Sequence, residues 1–473
     1  MKLFFRLLLC CSLIQSAQGA SLPLSVRKAL QQADIPLSGV GVVVREVNAR
    51  APLLSVNASQ AMNPASTMKL LTTYAALEML GPSYTWKTEA YLNGKLEEGV
   101  LQGDLILKGY GDPQLTLEKF WLWLRDMRSR GLREIRGNLM LDRSAFEPVN
   151  YDAAAFDNAP LRPYNMGPDA LLLNFNAVRL RFIPDGEKIQ VIAEPNLSGI
   201  TLDNRITAAT LSSEPSSIEP TDCSNWEDAI SIQLDGATVR LQGIFPTQCG
   251  ECEQHVCLLP PAQYLYAVFR ALWQEMGGSL SGELTEGTVP GSATLYATHT
   301  SRPMAEVIRD INKFSNNVMA RQLFLSLGGI SEEPASIARS EVAIRNWLAR
   351  KKLRFPELVL ENGAGLSRTE RISPHHMAQL LQSAQRSPLA AEFEASLPIV
   401  GVDGTLKKRL KESAASAQAH LKTGSLKGVQ AVAGYVLSRS GKRWLMVFLI
   451  NHPNAGAGQL AQDKLIEWIQ SRQ

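Results

Sequence analysis

The two ends of this chain read as halves of one folding unit, and no other feature limits its architecture as much. Near the N-terminus, Gly39-Val-Gly-Val-Val-Val-Arg45 and Ala51-Pro-Leu-Leu-Ser-Val56 read as short strands joined by a polar turn around Asn48. A helix follows, with Asn63 as N-cap, Pro64 at its first position and Gly81-Pro82 as its stop. Near the C-terminus, helical patterning over 305–327 and 337–351 gives way to two apolar runs, 429–437 and 443–450, and then to a closing helix over 459–470. The stretch between is strand-rich: 103–108, 137–142 and 178–183 read as strands, the last alternating at period two, with one helix over 117–129. Residues 214–257, richer in Ser, Pro and Cys, read as a loop-heavy, cross-linked lobe. The pattern is that of one α/β domain interrupted by a long insert, and 473 residues exceed what one compact core holds.

The first residues read as an export leader. Lys2 and Arg6 supply positive charge, Leu7 to Ile14 a short apolar stretch, and Ala17-Gln18-Gly19 the small residues of a cleavage site. The apolar stretch is too short for a permanent anchor, Cys10 and Cys11 lack a lipidation context, and no later segment reads as a membrane span. Removing Lys2 and Arg6 takes the net charge from +3 to about +1, which leaves no footprint for nucleic acid or an acidic surface. The basic cluster Lys407, Lys408, Arg409 and Lys411 reads as a solvated helix face. Cys223, Cys249, Cys252 and Cys257 would remain after cleavage. The Cys249-x2-Cys252 spacing with His255 also fits zinc, but export favours disulfides, so two are expected, in any of three connectivities.

Three short motifs carry chemistry. Ser66-Thr67-Met68-Lys69 falls in the first turn of the capped helix, where i and i+3 share a face and a buried lysine can take a proton from a neighbouring hydroxyl. Alone, this spacing occurs by chance in most proteins of this size. Ser315-Asn316-Asn317 lies just inside a helical pattern and offers a hydroxyl and an amide two residues apart; alone it equally fits an N-capping cluster. Lys422-Thr423-Gly424-Ser425 directly precedes the strand at 429–437. There a cation, a hydroxyl and a flat glycine would let an extended peptide lie along an edge with its carboxylate at Lys and Thr.

In this order, Ser-x-x-Lys, Ser-x-Asn and Lys-Thr-Gly resemble the penicillin-binding protein and serine β-lactamase superfamily. The interval of about 245 residues between Lys69 and Ser315 resembles the class C low-molecular-mass penicillin-binding proteins, D-Ala-D-Ala carboxypeptidase/endopeptidases with extra domains between these motifs. Gly109-Tyr-Gly-Asp-Pro113, Gly137-Asn-Leu-Met-Leu-Asp142, Gly363-Ala-Gly-Leu-Ser-Arg368 and the stretch from Leu397 to Leu406 resemble that family too. Glu361-Asn362 departs from its Asp-Gly pattern and is expected to be a loop change without chemical consequence.

The resemblance implies a multidomain α/β fold. Its catalytic domain is an antiparallel sheet with flanking helices, over 20–85 and 297–473, behind a signal peptide at 1–19. The insert is expected over 86–112 and 188–296, with a second insert nested at 113–187. The implied activity is a periplasmic serine DD-peptidase acting on peptidoglycan peptides, acylated by β-lactams and needing no cofactor or metal. Ser66 would be the nucleophile and Lys69 its base, with Ser315, Asn317 and Lys422 completing the catalytic set. Thr423, Gly424 and Ser425 would bind substrate, joined by Arg368 and Lys427. Asp142 with Phe146 is expected to grip an amine on the peptide's third residue, against the alternative of an Asp that starts a turn by bonding its own backbone. The competing readings are a serine β-lactamase, which lacks so large an insert, and an inactive wall-binding relative, which would show a degraded site.

Overall fold

The computed structural model describes residues 21–149, 151–210, 223–330 and 333–473; the expected leader lies outside the described residues. Both chain ends meet in a five-stranded antiparallel sheet. Its order is Ala419–Leu426, Val429–Leu437, Arg443–Asn451, Val40–Glu46 and Leu54–Val56. The strands are apolar on both faces, and their alternation divides them between two cores. Val42, Val44, Val432, Met446 and Phe448 pack under the terminal helices Leu24–Gln32 and Gln459–Gln470. Val43, Ala431, Ala433, Val447 and Leu449 face the helices Lys69–Leu80, Asn317–Gly328, Ile337–Arg350 and Pro374–Gln385. The site's residues come from this second layer and from the edge strand Ala419–Leu426.

The insert leaves and returns through one antiparallel pair, Lys87–Glu97 with Thr294–Thr300, in which Lys87 stands opposite Thr300. These strands belong to a seven-stranded sheet with Val100–Gly109, Glu134–Ile135, Leu139–Asp142, Ser279–Leu280 and Leu284–Glu286. The helix Leu117–Ser129 packs on it through Phe120, Trp123, Leu124 and Met127. A six-stranded sheet, built wholly from residues 178–256, is nested inside. Strand membership therefore puts the nested unit later than 113–187, because the helix at 117–129 belongs to the outer sheet. The loop-heavy lobe expected over 214–257 is instead largely strand, with Ile230–Asp235, Thr238–Pro246 and Cys252–Val256 all in the nested sheet. No helix among the described residues is long and apolar enough to cross a membrane.

Only one of the two expected disulfides forms. Cys223 is bonded to Cys249, while Cys252 and Cys257 are free thiols. Cys252 opens the strand Cys252–Val256 and Cys257 follows it, so about five extended steps, roughly 16 Å, separate two cysteines whose Cα atoms would have to approach within about 7 Å.

Candidate active site

The Ser-x-x-Lys motif sits in a 3-10 turn, Ala65–Met68, that feeds directly into the helix Lys69–Leu80. Asn63 ties this turn down: its Oδ1 accepts the Ala65 N–H at 2.9 Å, and its backbone N–H and carbonyl pair with the Asn451 side chain at 2.7 and 3.0 Å. Ala65 is held at φ 45°, a costly conformation for a residue with a Cβ. Lys69 is fully buried. Its Nζ donates to Ser66 Oγ at 3.0 Å, to Asn317 Oδ1 at 2.5 Å and to the Ala364 carbonyl at 2.5 Å. Burial first, then the positive charges of Lys422 and Arg321, push its pKa well below the usual lysine range, while Glu370 opposes them. Such a lysine can accept the Ser66 proton near neutral pH.

Ser315 and Asn317 reach the same place by a break in helical structure. The helical stretch expected over 305–327 is two helices, Met304–Lys313 and Asn317–Gly328, with Ser315 at φ 56° between them. The break turns Ser315 toward the sheet while Asn317 begins the next helix; Asn316 caps it, accepting the Met319 N–H at 3.0 Å. Lys422 is also fully buried; its Nζ donates to Ser315 Oγ at 2.8 Å and to the Thr423 carbonyl at 2.7 Å. Burial lowers its pKa to about 7. Two hydroxyl–lysine pairs therefore share one site, Ser66 with Lys69 and Ser315 with Lys422.

Thr423, Gly424 and Ser425 lie on the edge strand beside the Ser66 turn. Thr423 and Ser425 border a cavity of about 470 Å³ with Thr405 and Lys408, and the Thr423 and Thr405 hydroxyls are 2.7 Å apart. The basic cluster is solvated at Lys407, Lys408 and Lys411, as expected, but it does not lie on a helix. It follows the 3-10 turn Gly404–Leu406, Lys408 borders the cavity, and Arg409 is buried against Asp463 at 2.5 Å.

Sequence reasoning noted the loop 361–366 for its resemblance but gave it no part in the site. Its Asn362 Oδ1 accepts the Ala364 N–H at 2.9 Å, and its Gly363 carbonyl accepts Thr72 Oγ1 at 2.6 Å. Gly365, at φ 78°, passes so close that a Cβ there would lie 1.9 Å from the Ala65 carbonyl oxygen. The Glu361-Asn362 departure thus lies in the segment that presents a backbone acceptor to Lys69. The glycine spacing was visible; the carbonyl was not, because any residue carries one.

The insert residues are placed differently from expectation. The Asp142 side chain is fully buried, ion-paired with Lys108 at 3.0 Å and accepting from the backbone N–H groups of Ser144 and Val289 at 3.0 and 2.9 Å. A carboxylate so saturated has no face for a substrate amine, and the turn-starting alternative is what the geometry shows. Phe146 is buried at the junction between insert and catalytic domain, in bridge contact with Ala335. Arg368 donates to the Lys427 carbonyl at 3.1 Å and lies 4.5 Å over the Phe156 ring, next to the Lys-Thr-Gly strand.

A family model described as the D-Ala-D-Ala carboxypeptidase 3 (S13) family matches residues 22–472. The D-alanyl-D-alanine carboxypeptidase DacB of Haemophilus influenzae is 26% identical over 424 residues, covering 89% of this chain and 86% of that protein. The D-alanyl-D-alanine carboxypeptidase of Actinomadura sp. (strain R39) is 28% identical over 432 residues, covering 89% and 79%. The crystal structure of penicillin binding protein 4 (dacB) from Haemophilus influenzae superposes with a TM-score of 0.77 at 24% identity, over 94% of this chain and all of that one. The same protein in complex with a β-lactam gives 0.75, at 24% identity over 95% of this chain and 100% of that one.

Proposed function

The chain belongs to the D-Ala-D-Ala carboxypeptidase 3 (S13) family, and from that premise we propose how its own residues divide the reaction. It is a serine D-Ala-D-Ala carboxypeptidase on which penicillins act. Ser66 Oγ attacks the carbonyl of the penultimate D-Ala, and Lys69 takes the hydroxyl proton. The Ser66 and Ser425 backbone N–H groups hold the resulting oxyanion. As the C–N bond breaks, Ser315, supplied by Lys422, gives a proton to the departing amine. Asn317 steadies the acyl portion as well as Lys69, Gly424 keeps the edge strand flat against the peptide, and Thr423 with Ser425 receives the terminal carboxylate. Water then attacks the Ser66 ester and releases the shortened peptide. An amine belonging to a cross-linked peptide leaves by the same route, which would make the enzyme an endopeptidase. Arg368 and Lys427 border the strand and contact the substrate beyond the scissile bond.

One observation carries this reading: the Nζ of a fully buried Lys69 reaches Ser66, Asn317 and a loop carbonyl at once. The leader signature with Lys2 and Arg6, the Cys223–Cys249 disulfide and the peptidoglycan-type substrate together support export to the periplasm. Mass spectrometry of muropeptides incubated with the protein tests the reaction: D-Ala is released by the wild type and not by Ser66→Ala. Labelled penicillin should map to the peptide carrying Ser66, and label that persists in Ser66→Ala sinks the mechanism. Lys69→Ala should lose acylation almost as fully, and the double variant should lose little more, since nucleophile and base act as a unit.

A further inference from the structure

Glu370 follows the glycine-rich loop and is fully buried. Its Oε1 accepts three consecutive backbone N–H groups, those of Glu361, Asn362 and Gly363, at 3.1, 3.0 and 3.0 Å. The next carbonyl along this segment, that of Ala364, is the one that accepts from Lys69 Nζ. One carboxylate oxygen therefore fixes the peptide that fixes a partner of the base. The other oxygen, Oε2, is buried without a hydrogen-bond partner among the described residues.

The surroundings are rich in positive charge. Lys69 comes from the nucleophile helix and Lys422 from the edge strand, both fully buried. Arg321 comes from the helix Asn317–Gly328, 3% exposed, held by the Tyr164 and Met166 carbonyls at 2.9 and 2.7 Å and stacked over Tyr151. The acids facing this group are Glu370 and, from the same loop, the exposed Glu361. We propose that Glu370 is a positioning residue for acylation: it holds the 361–364 segment against Lys69 and supplies the buried negative charge that faces Lys69 and Arg321.

Two effects compete at Glu370 itself. Burial prevails and raises its pKa above the usual glutamate value, while the three converging amides oppose it and favour the carboxylate. Toward Lys69 the sign is unambiguous: Lys422 and Arg321 drive its proton off, and Glu370 holds the proton on. Deleting that negative charge lowers the Lys69 pKa, so the neutral base persists to lower pH.

The test is the pH dependence of the second-order rate constant for acylation by a fluorescent penicillin. Glu370→Gln keeps an acceptor oxygen for the three amides, puts its NH2 in place of the unpartnered Oε2 and removes the charge. Its acid limb should move to lower pH by about one unit, with the plateau nearly unchanged. Glu370→Ala also removes the tether, and its plateau should fall by about tenfold. An acid limb in Glu370→Gln that superimposes on the wild type overturns the proposal, even where both variants melt earlier, because a purely structural carboxylate would change stability and leave the limb in place. The inference rests on Lys69 as base, which the Ser66→Ala labelling tests separately.

Discussion

Gly424 passes so close to Ser66 that a Cβ built on it would lie 2.7 Å from the Ser66 backbone nitrogen and 2.9 Å from the Pro64 carbonyl oxygen. Both neighbours are backbone in a turn already held at a costly φ by Asn63 and Asn451, so neither can move aside. Gly424→Ala should therefore displace the edge strand from the Ser66 turn and slow acylation by about 100-fold, since misplacing reacting groups by about 1 Å costs that much. Stopped-flow labelling with penicillin measures it; a rate within twofold of the wild type would show that the strand can shift freely.

Lys422 should make carboxylate binding pH-dependent. Burial holds its pKa at about 7, so it is a cation below that pH and neutral above it. In Ser66→Ala, which cannot be acylated, the Kd for a D-Ala-terminated peptide should weaken by about tenfold as pH rises from 6 to 8.5, the size of one charge-assisted hydrogen bond. Lys422→Gln should flatten the curve, and so should capping the peptide as an amide. Calorimetric titration across that range decides it, and a flat wild-type curve would remove Lys422 from carboxylate recognition.

Asp142 should matter for stability and not for turnover. Burial would raise its pKa, but the bonds from Ser144, Val289 and Lys108 prevail and hold it below the usual aspartate value. A depressed folded pKa contributes stability above the unfolded value, near 4, that is lost as pH falls through the folded one. Asp142→Asn should cost roughly 1–3 kcal/mol at pH 7 in urea denaturation, with the deficit shrinking below pH 4. kcat/KM should be unchanged for substrates with or without an amine on the third residue; a selective loss for the amine-bearing peptide would restore Asp142 as a substrate contact.

The cysteines should titrate as one bonded pair and two thiols. Prepared without residues 1–19 and denatured without reductant, the protein should take up alkylating reagent at Cys252 and Cys257 alone, with Cys223 and Cys249 joined in peptide mapping. Cys223→Ser should lower stability by about 3 kcal/mol, from the loop of 26 residues that the bond closes. Uptake at all four positions before reduction would show that the bond is not formed.

Much of the catalytic domain was legible because its elements are long and strongly patterned. The closing helix and the strand at 429–437 fall where their periodicity puts them. In the insert, the helix at 117–129 does so too, since its buried Phe120, Trp123, Leu124 and Met127 share one face. The three motifs were legible as residue types, and folding brings Ser66, Lys69, Asn317, Ser315 and Lys422 together. What escaped was carried by backbone or by distance. Ser315 sits in a helix break whose positive φ has no sequence signature in serine. Ala364 contributes only a carbonyl. Asp142 looked available because burial by Lys108 and Val289 comes from strands and loops far along the chain. The nested sheet was hidden because short strands among Ser, Pro and Cys read locally as loop.

Lys69 and Asn317 touch across 248 positions of sequence, a long loop to close. The neck of the insert shortens it. Once Lys87 pairs with Thr300, the path from Lys69 to Asn317 runs through the neck and is roughly 35 residues, which cuts the entropy of closure by about 2 kcal/mol. The insert is thus a splint for assembly of the catalytic centre. A refolding chain should regain secondary structure first and the capacity to trap penicillin afterwards. Lesions in the insert's outer sheet would then reduce how many molecules become active while leaving the rate constants of each active one intact.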